Sequence, residues 1–359
     1  MGKNILDSSR IILYACFMVK EPKTLQQAII YFADPDNCVA YLVDRRWPDG
    51  VACPTCGRKD VAYVPARRVW QCKTRHPKSQ FSVKVGTVME DSPIGLDKWL
   101  TAMWMVANCK NGVSSWEVHR SLGVTQKTAW FLLHRIRLAM NTKASCKMGG
   151  SDGGPVEIDE AFIGGKPANK HLGQRDTKKF LRDETGMRYK NPDYESKGPR
   201  GTRKVAVFGM LDRETRQVRA EVIPEVKREV LMNAILSNIE KRSTIYSDGL
   251  REYMPLKSLE FVHDTVNHVQ EYVRGEVHTN GIENFWSLLK RGLNGTYIAV
   301  EPFHLDRYVG EQVFRYNNRA TKDNPLTDSD RFALAVTQIV GKRLTYAELT
   351  GKELEKPAS

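Results

Sequence analysis

A multi-domain α/β chain is expected, with a metal-stapled module and a helical region ahead of a mixed β-sheet flanked by helices. Three features carry that expectation. Cys53-Pro-Thr-Cys56 is followed closely by Cys72 and His76; residues 96–140 read as three helices; and after the glycine-rich joint at 149–154 the pattern turns to alternating strands. The 359 residues contain no run of eighteen apolar positions, so no membrane-spanning helix is expected, and a chain of this length forms two or three domains. An excess of 55 Lys and Arg over 42 Asp and Glu, net +13, favours a polyanionic partner, most simply nucleic acid. Seven cysteines, an odd number with three clustered, fit metal binding in a reducing, cytoplasmic compartment better than a disulfide framework.

Taken in order, residues 1–47 form an N-terminal helical segment. Its apolar run at 11–19 is short and lacks a small-residue cleavage site, so it reads as a local helix or as sequence ahead of a start at Met18. Two short helices over 25–47 are separated at Asp34-Pro35-Asp36-Asn37, with Asp34 as the cap and Pro35 just inside the second start. Trp47-Pro-Asp-Gly50 is a turn leading into a ribbon over 48–90. There the two-residue spacing of Cys53 and Cys56 lets both thiolates reach one ion, and Cys72 and His76 complete a closed, structural zinc site. Cys16, Cys38, Cys109 and Cys146 read as ordinary thiols. Residues 95–142 follow a helix-turn-helix plan: Ser114 to Glu117 is a capping box, Gly123 breaks the helix and Thr125 caps the next. Gln126, Lys127 and Thr128 would then reach base edges or phosphates, and His134, Arg135 and Arg137 would extend the basic surface; a packing unit is the plainer reading.

The second half carries the chemistry. Residues 156–162 alternate as a strand, with Glu157, Asp159 and Ala161 on one face. A basic insertion at 166–204 with little apolar periodicity reads as a surface excursion. Strands at 204–212 and 217–223, a helix at 228–239, a strand ending in Asp248-Gly249 and another at 261–266 complete what an RNase H-like mixed sheet requires, within a domain at 155–325. Residues 278–292 then form an amphipathic helix, capped by Thr279 or Asn280 and stopped by Gly292. Glu283 and Lys290 lie seven residues apart on it, two turns, so they share one line about 10 Å long. Asp159, Asp248 and Glu283, contributed by separate elements, would hold two Mg2+ (or Mn2+) ions about 3.5–4 Å apart for displacement at phosphorus. Taken singly, each has a plain alternative: strand surface, turn, and helix-start charge. A helical tail at 326–359 closes the chain.

These residues resemble those of insertion-sequence DDE transposases that place a zinc ribbon and helix-turn-helix ahead of an RNase H-like catalytic domain. The resemblance runs over about residues 25–325, on Trp47-Pro-Asp-Gly with Cys-Pro-Thr-Cys, Gln80-Phe-Ser-Val, Leu122-Gly-Val-Thr-Gln-Lys-Thr-Ala-Trp130, Glu157-Ile-Asp-Glu, Tyr246-Ser-Asp-Gly249, the 278–292 helix and Phe314-Arg-Tyr-Asn-Asn-Arg319. It implies Asp159, Asp248 and Glu283 as the acidic triad, Lys290 beside the DNA backbone and a supporting role for His278. It also implies cleavage at element ends, strand transfer of the 3′ hydroxyls into target DNA, and a homo-oligomer on paired ends. His76 departs from the final cysteine usual in such ribbons. Two rival readings remain, a DNA-binding regulator with an inert acidic cluster and a metal-dependent nuclease that cuts without joining.

Overall fold

The computed structural model describes residues 21–141, 146–150, 153–164, 180–182, 188–190, 204–266, 277–322 and 324–351. The apolar run at 11–19 and most of the basic insertion at 166–204 lie outside the described residues. The chain divides into two compact units, one comprising residues 1–142 and 318–359, the other 143–317.

The first unit begins with α1 (Leu25–Phe32) and α2 (Pro35–Arg46). Asp34 caps α2 by accepting from the Asp36 amide at 2.8 Å, with Pro35 at its first position, so the start follows from local chemistry alone. The ribbon consists of β1 (Val61–Val64), β2 (Val69–Cys72) and β3 (Gln80–Phe81), antiparallel in that order. Trp47, Trp70 and Phe81 fill its small core, with ring centroids 5.8–6.2 Å apart. A 3₁₀ turn at Pro65–Arg67, followed by Arg68 at φ 50°, reverses the chain between β1 and β2. Three helices follow: α3 (Leu96–Asn108), α4 (Ser115–Leu122) and α5 (Gln126–Met140). Ser114 and Glu117 form the reciprocal capping box, Gly123 ends α4 at φ 60°, and Thr125 caps α5.

The second unit is built on a five-stranded sheet. Its strands are β4 (Val156–Ile163), β7 (Val205–Asp212), β8 (Val218–Ile223), β9 (Thr244–Asp248) and β10 (Val262–Val266), in the order β10-β9-β4-β7-β8. β4 runs parallel to β9 and antiparallel to β7. A separate hairpin, β5 (Phe180–Arg182) with β6 (Arg188–Lys190), falls inside the basic insertion. α6 (Arg228–Asn238) covers one face, where Val156, Ile158, Phe208, Met210, Leu231 and Ile235 share a core. The other face is covered by α7 (Asn280–Gly292) and α8 (Leu305–Asn317), where Ala161, Val207, Val218, Ile282, Phe285 and Val309 share a second core. The period of two along β4 and β7 sorts the residues between these cores, and the result is the RNase H-like mixed sheet flanked by helices. Gly292 does not stop the helix as expected; a π-helical turn at Leu293–Tyr297 continues it, with Leu293 buried in the second core.

The C-terminal segment belongs with the first unit instead of standing as a separate tail. α9 (Asp328–Thr337) sets Phe332 against Phe32, Tyr41 and Trp104, with centroids 4.9–5.7 Å away. α10 (Tyr346–Thr350) follows, and the Val88 amide donates to the Ile339 carbonyl at 3.0 Å.

Candidate functional site

The zinc-ligating residues converge. Cys53, Cys56, Cys72 and His76 each offer a ligand atom within 4.8 Å of the others, and among the described residues no other group of three or more such side chains is as tight. Zn–S near 2.3 Å and Zn–N near 2.05 Å set tetrahedral edges at about 3.8 Å between sulfurs and about 3.6 Å from sulfur to nitrogen. Here Cys56 Sγ lies 3.7 Å from Cys72 Sγ, and Cys53 Sγ 3.4 Å from His76 Nε2. The donor set and its spacing therefore fit a structural zinc ion, with His76 in the fourth place. Burial pushes the Cys53 thiol up, but the backbone amides of Cys56 and Thr55 outweigh it and bring the group to about 7, toward the thiolate a metal takes.

The acidic residues meet through the sheet. Val156 pairs with Ile245 and Glu157 with Tyr246 across parallel β4 and β9. The ladder ends there, and Asp159 and Asp248 each lie two residues beyond the Glu157–Tyr246 pair on their own strands, near enough for the charge of Asp248 to act on Asp159. α7 crosses the face that bears Asp159, and the Trp286 indole Nε1 donates to Asp159 Oδ2 at 3.0 Å. Gly209, opposite Asp159 on β7, makes room for the indole: a Cβ there would lie 2.5 Å from a ring carbon. Glu283, on the first turn of α7, is exposed and accepts from the Thr279 hydroxyl at 3.1 Å. Burial raises the Asp159 carboxyl to about 6, and the charges of Asp248 and Glu283 add to the rise against the donors of Glu160 and Trp286. Asp248 and Glu283 thus both act on Asp159, but the three acids do not form a cluster as tight as the zinc ligands. Lys290 is exposed two turns along the same helix.

Of four further residues around these acids, the sequence marked Glu157 only by its face and gave no role to the other three. Trp286 and Gly209 touch or make way at Asp159; buried Glu157 and its partner Arg213 brace the start of α7. An isolated glycine inside an apolar strand was the available signal for close approach at Gly209.

The helix-turn-helix residues are divided. Lys127 is exposed, its ammonium 4.6 Å from the Tyr346 ring centroid. Gln126 donates to Ser115 Oγ at 2.9 Å, and Thr128 sits on the Thr125 cap, its amide donating at 3.2 Å. His134 is fully buried, and Arg135 and Arg137 do not extend a basic surface either. They are 5% and 1% exposed, and Arg135 donates to the Glu90 carbonyl while stacking 5.2 Å from the Phe131 centroid. The expectation of DNA contact is corrected for both, because the helix turns them inward with Leu132, Leu133 and Ile136.

A closed Cys3His site in a ribbon, followed by helices and an RNase H-like sheet with clustered acids, defines the class of insertion-sequence DDE transposases. Residues 152–317 match the ISXO2-like transposase domain and residues 33–74 the transposase zinc-ribbon domain, and the chain belongs to that family. It is similar to an uncharacterized protein in transposable element ISH50 of Halobacterium salinarum, 29% identical over 270 residues that span 73% of this chain and 84% of that one. Among solved structures, a simian T-cell lymphotropic virus intasome in complex with PP2A regulatory subunit B56 gamma is similar over 65% of this chain and 74% of that chain. At 13% identity and a TM-score of 0.29, it carries no argument.

Proposed function

We propose that this transposase cleaves DNA at the ends of its element and joins the freed 3′ hydroxyls to target DNA. In this reading Asp159, Asp248 and Glu283 hold the divalent ions and Lys290 holds a backbone phosphate. The observation that carries it is Asp159 held by Trp286 of the helix that presents Glu283, on a strand paired with the one that ends in Asp248, with the charges of Asp248 and Glu283 both acting on it. The donor set fits hard cations: all-oxygen ligands, one carboxyl pushed upward by burial and further by its acidic neighbours, and an exposed Glu283 that leaves room for water and phosphate. Bound Mg2+ or Mn2+ would activate the attacking oxygen and stabilise the leaving one. The residues themselves orient: Trp286 fixes one oxygen of Asp159, Thr279 turns Glu283, and Lys290 places a phosphate as a point charge. No nucleophilic side chain is required. Lys127 at the start of α5 supplies a phosphate contact for end binding, and pairing of two ends calls for more than one copy of the chain.

Asp248→Asn is expected to lower joining of pre-cut ends by at least about a thousandfold, as loss of a metal ligand does, while end binding stays within about threefold. Joining at the parent rate would remove Asp248 from the mechanism. The same assay separates the rivals, since cleavage without joining indicates a nuclease and neither activity a DNA-binding regulator.

A further inference from the structure

We propose that buried Glu157 and its half-buried partner Arg213, together with His278, form a positioning clamp that fixes the helix bearing Glu283 against the strands bearing Asp159 and Asp248, and are not part of the metal-binding set. The inference rests on the reading above. Glu157 lies two residues before Asp159 on β4, on the same face, so sequence alone makes it a tempting fourth ligand. Its surroundings argue otherwise. The residue is 1% exposed, and both carboxylate oxygens are committed: Oε1 accepts from Arg213 Nε at 2.6 Å and Oε2 from the Ile282 backbone amide at 2.9 Å.

Ile282 is the third residue of α7, so its amide is one of the donors that a helix start leaves without an internal partner. Thr279 occupies the N-cap position, but its side chain makes no capping bond; its hydroxyl donates to Glu283 instead. Glu157 therefore caps α7 from a strand 125 positions away, where the helix dipole also favours a carboxylate. Gly281 permits the approach, since a Cβ there would sit 2.8 Å from Glu157 Oε2.

Arg213 carries the brace further. Its Nη2 donates to the His278 carbonyl at 2.7 Å and lies 2.6 Å from His278 Nδ1, which must accept, because a guanidinium only donates. Its guanidinium carbon lies 4.7 Å from the centroid of the Tyr246 ring, two residues before Asp248 on β9. One ion pair thus touches the strand of Asp159, the strand of Asp248 and the residue next to Glu283. A misplacement of about 1 Å at a reacting centre costs about a hundredfold in rate, which is the scale such a brace protects.

The test uses the full-length, zinc-loaded protein. Glu157→Gln leaves Arg213 without its charge partner and is at risk of misfolding, so Glu157→Gln/Arg213→Met, which removes both charges at similar volume, and Gly281→Ala are made beside it. Three quantities are measured for each: the rate of joining pre-cut ends against Mn2+ concentration, Mn2+ affinity and stoichiometry of the free protein by electron paramagnetic resonance, and end binding. The expected result is a joining rate down by about a hundredfold at low Mn2+ and a half-saturating Mn2+ concentration up by about tenfold. The number of ions per chain and end binding should be unchanged. Folded variants with the parent's rate and Mn2+ dependence overturn the clamp and leave the proposed reaction standing. Loss of a whole ion per chain also overturns it, by making Glu157 a ligand. A parent protein that neither joins ends nor binds Mn2+ overturns the reaction and the clamp with it.

Discussion

The Cys3His cluster and the acidic cluster are built in opposite ways. The zinc ligands come from one stretch of 24 residues, Cys53 to His76, folded by its own turns and hairpin; all four donor atoms lie within 4.8 Å of one another, and the Cys56–Cys72 and Cys53–His76 separations stand near tetrahedral edge lengths. The acids come from two strands and a helix spread between positions 159 and 283, and they meet only when the whole sheet and α7 have assembled. The first site is closed and has one purpose, which is to stabilise a module with little core of its own. The second is partly open and like-charged, so its geometry must be imposed by neighbours: Trp286 on Asp159, Thr279 on Glu283, Glu157 at the start of the helix. A local site holds its own shape, whereas a distributed one borrows its shape from the fold.

Zinc removal should expose this difference most strongly. Structural zinc contributes about 10–16 kcal/mol of apparent folding free energy in zinc-finger peptides, far more than a small ribbon recovers from packing. Chelation, or Cys72→Ser, is expected to abolish zinc content and open residues 48–81 to protease while the 143–317 unit keeps its protection. Limited proteolysis with mass mapping reads both at once. Protection of the ribbon after complete zinc loss would show that Trp47, Trp70 and Phe81 suffice without the ion.

At the acidic site the expected effect is smaller and of opposite sign. Asp159→Asn removes a carboxylate that burial and two acidic neighbours hold at about 6, so the metal-free protein should gain stability, about 1 kcal/mol or 2–4 °C in Tm for a unit of this size. The parent should gain Tm on adding Mn2+, and the variant should gain little. Equal Mn2+ stabilisation of both proteins, read by thermal unfolding, would place the ions elsewhere.

How far these features could be read from the sequence depends on how local their causes are. Asp34 before Pro35, the Ser114 and Glu117 box and Gly123 act within a few residues, and the structure reproduces each where the sequence suggests it. Asp159 and Asp248 were legible because strand alternation and an Asp-Gly end are local signals too. The cap of α7 was not, since Thr279 looks sufficient and the working acceptor, Glu157, arrives from a distant strand. Arg135 and Arg137 misled for the same reason. Charge suggests surface, but Arg135 finds a carbonyl at Glu90 and the faces of Trp99 and Phe131, partners that no helical period reveals.

A pH effect separates the units again. His263 on β10 is buried, its Nε2 2.8 Å from Ser247 Oγ on the neighbouring strand. Burial, followed by the charge of Lys257, lowers its affinity for a proton below the ordinary histidine value of 6.5, against a smaller opposing effect of Asp264. A base whose folded-state value is depressed contributes stability that is complete above 6.5 and is lost as pH falls through the depressed value. The 143–317 unit should therefore lose protection progressively below pH 6.5, and His263→Gln should flatten that loss. Hydrogen exchange of β9 and β10 against pH measures it, and identical profiles for parent and variant would assign the acid sensitivity to another group.

The smallest effect separates the two kinds of basic residue on α5. Lys127 is exposed and free to neutralise a phosphate; Arg135 is 5% exposed and committed to Glu90 and an aromatic pocket. If Lys127 contacts the backbone, Lys127→Ala should weaken end binding at every sequence alike and reduce the slope of log K against log salt by about one, because one fewer counterion is released. The loss of its contact with the Tyr346 ring is worth about 0.5–1 kcal/mol at an exposed site, and Tyr346→Leu controls for it. Arg135→Met should do the reverse, lowering Tm while leaving the salt slope of the folded protein intact. A reduced slope for Arg135→Met with an unchanged one for Lys127→Ala would mean that DNA draws the buried arginine outward, and that the resting arrangement of α5 is not the one that binds.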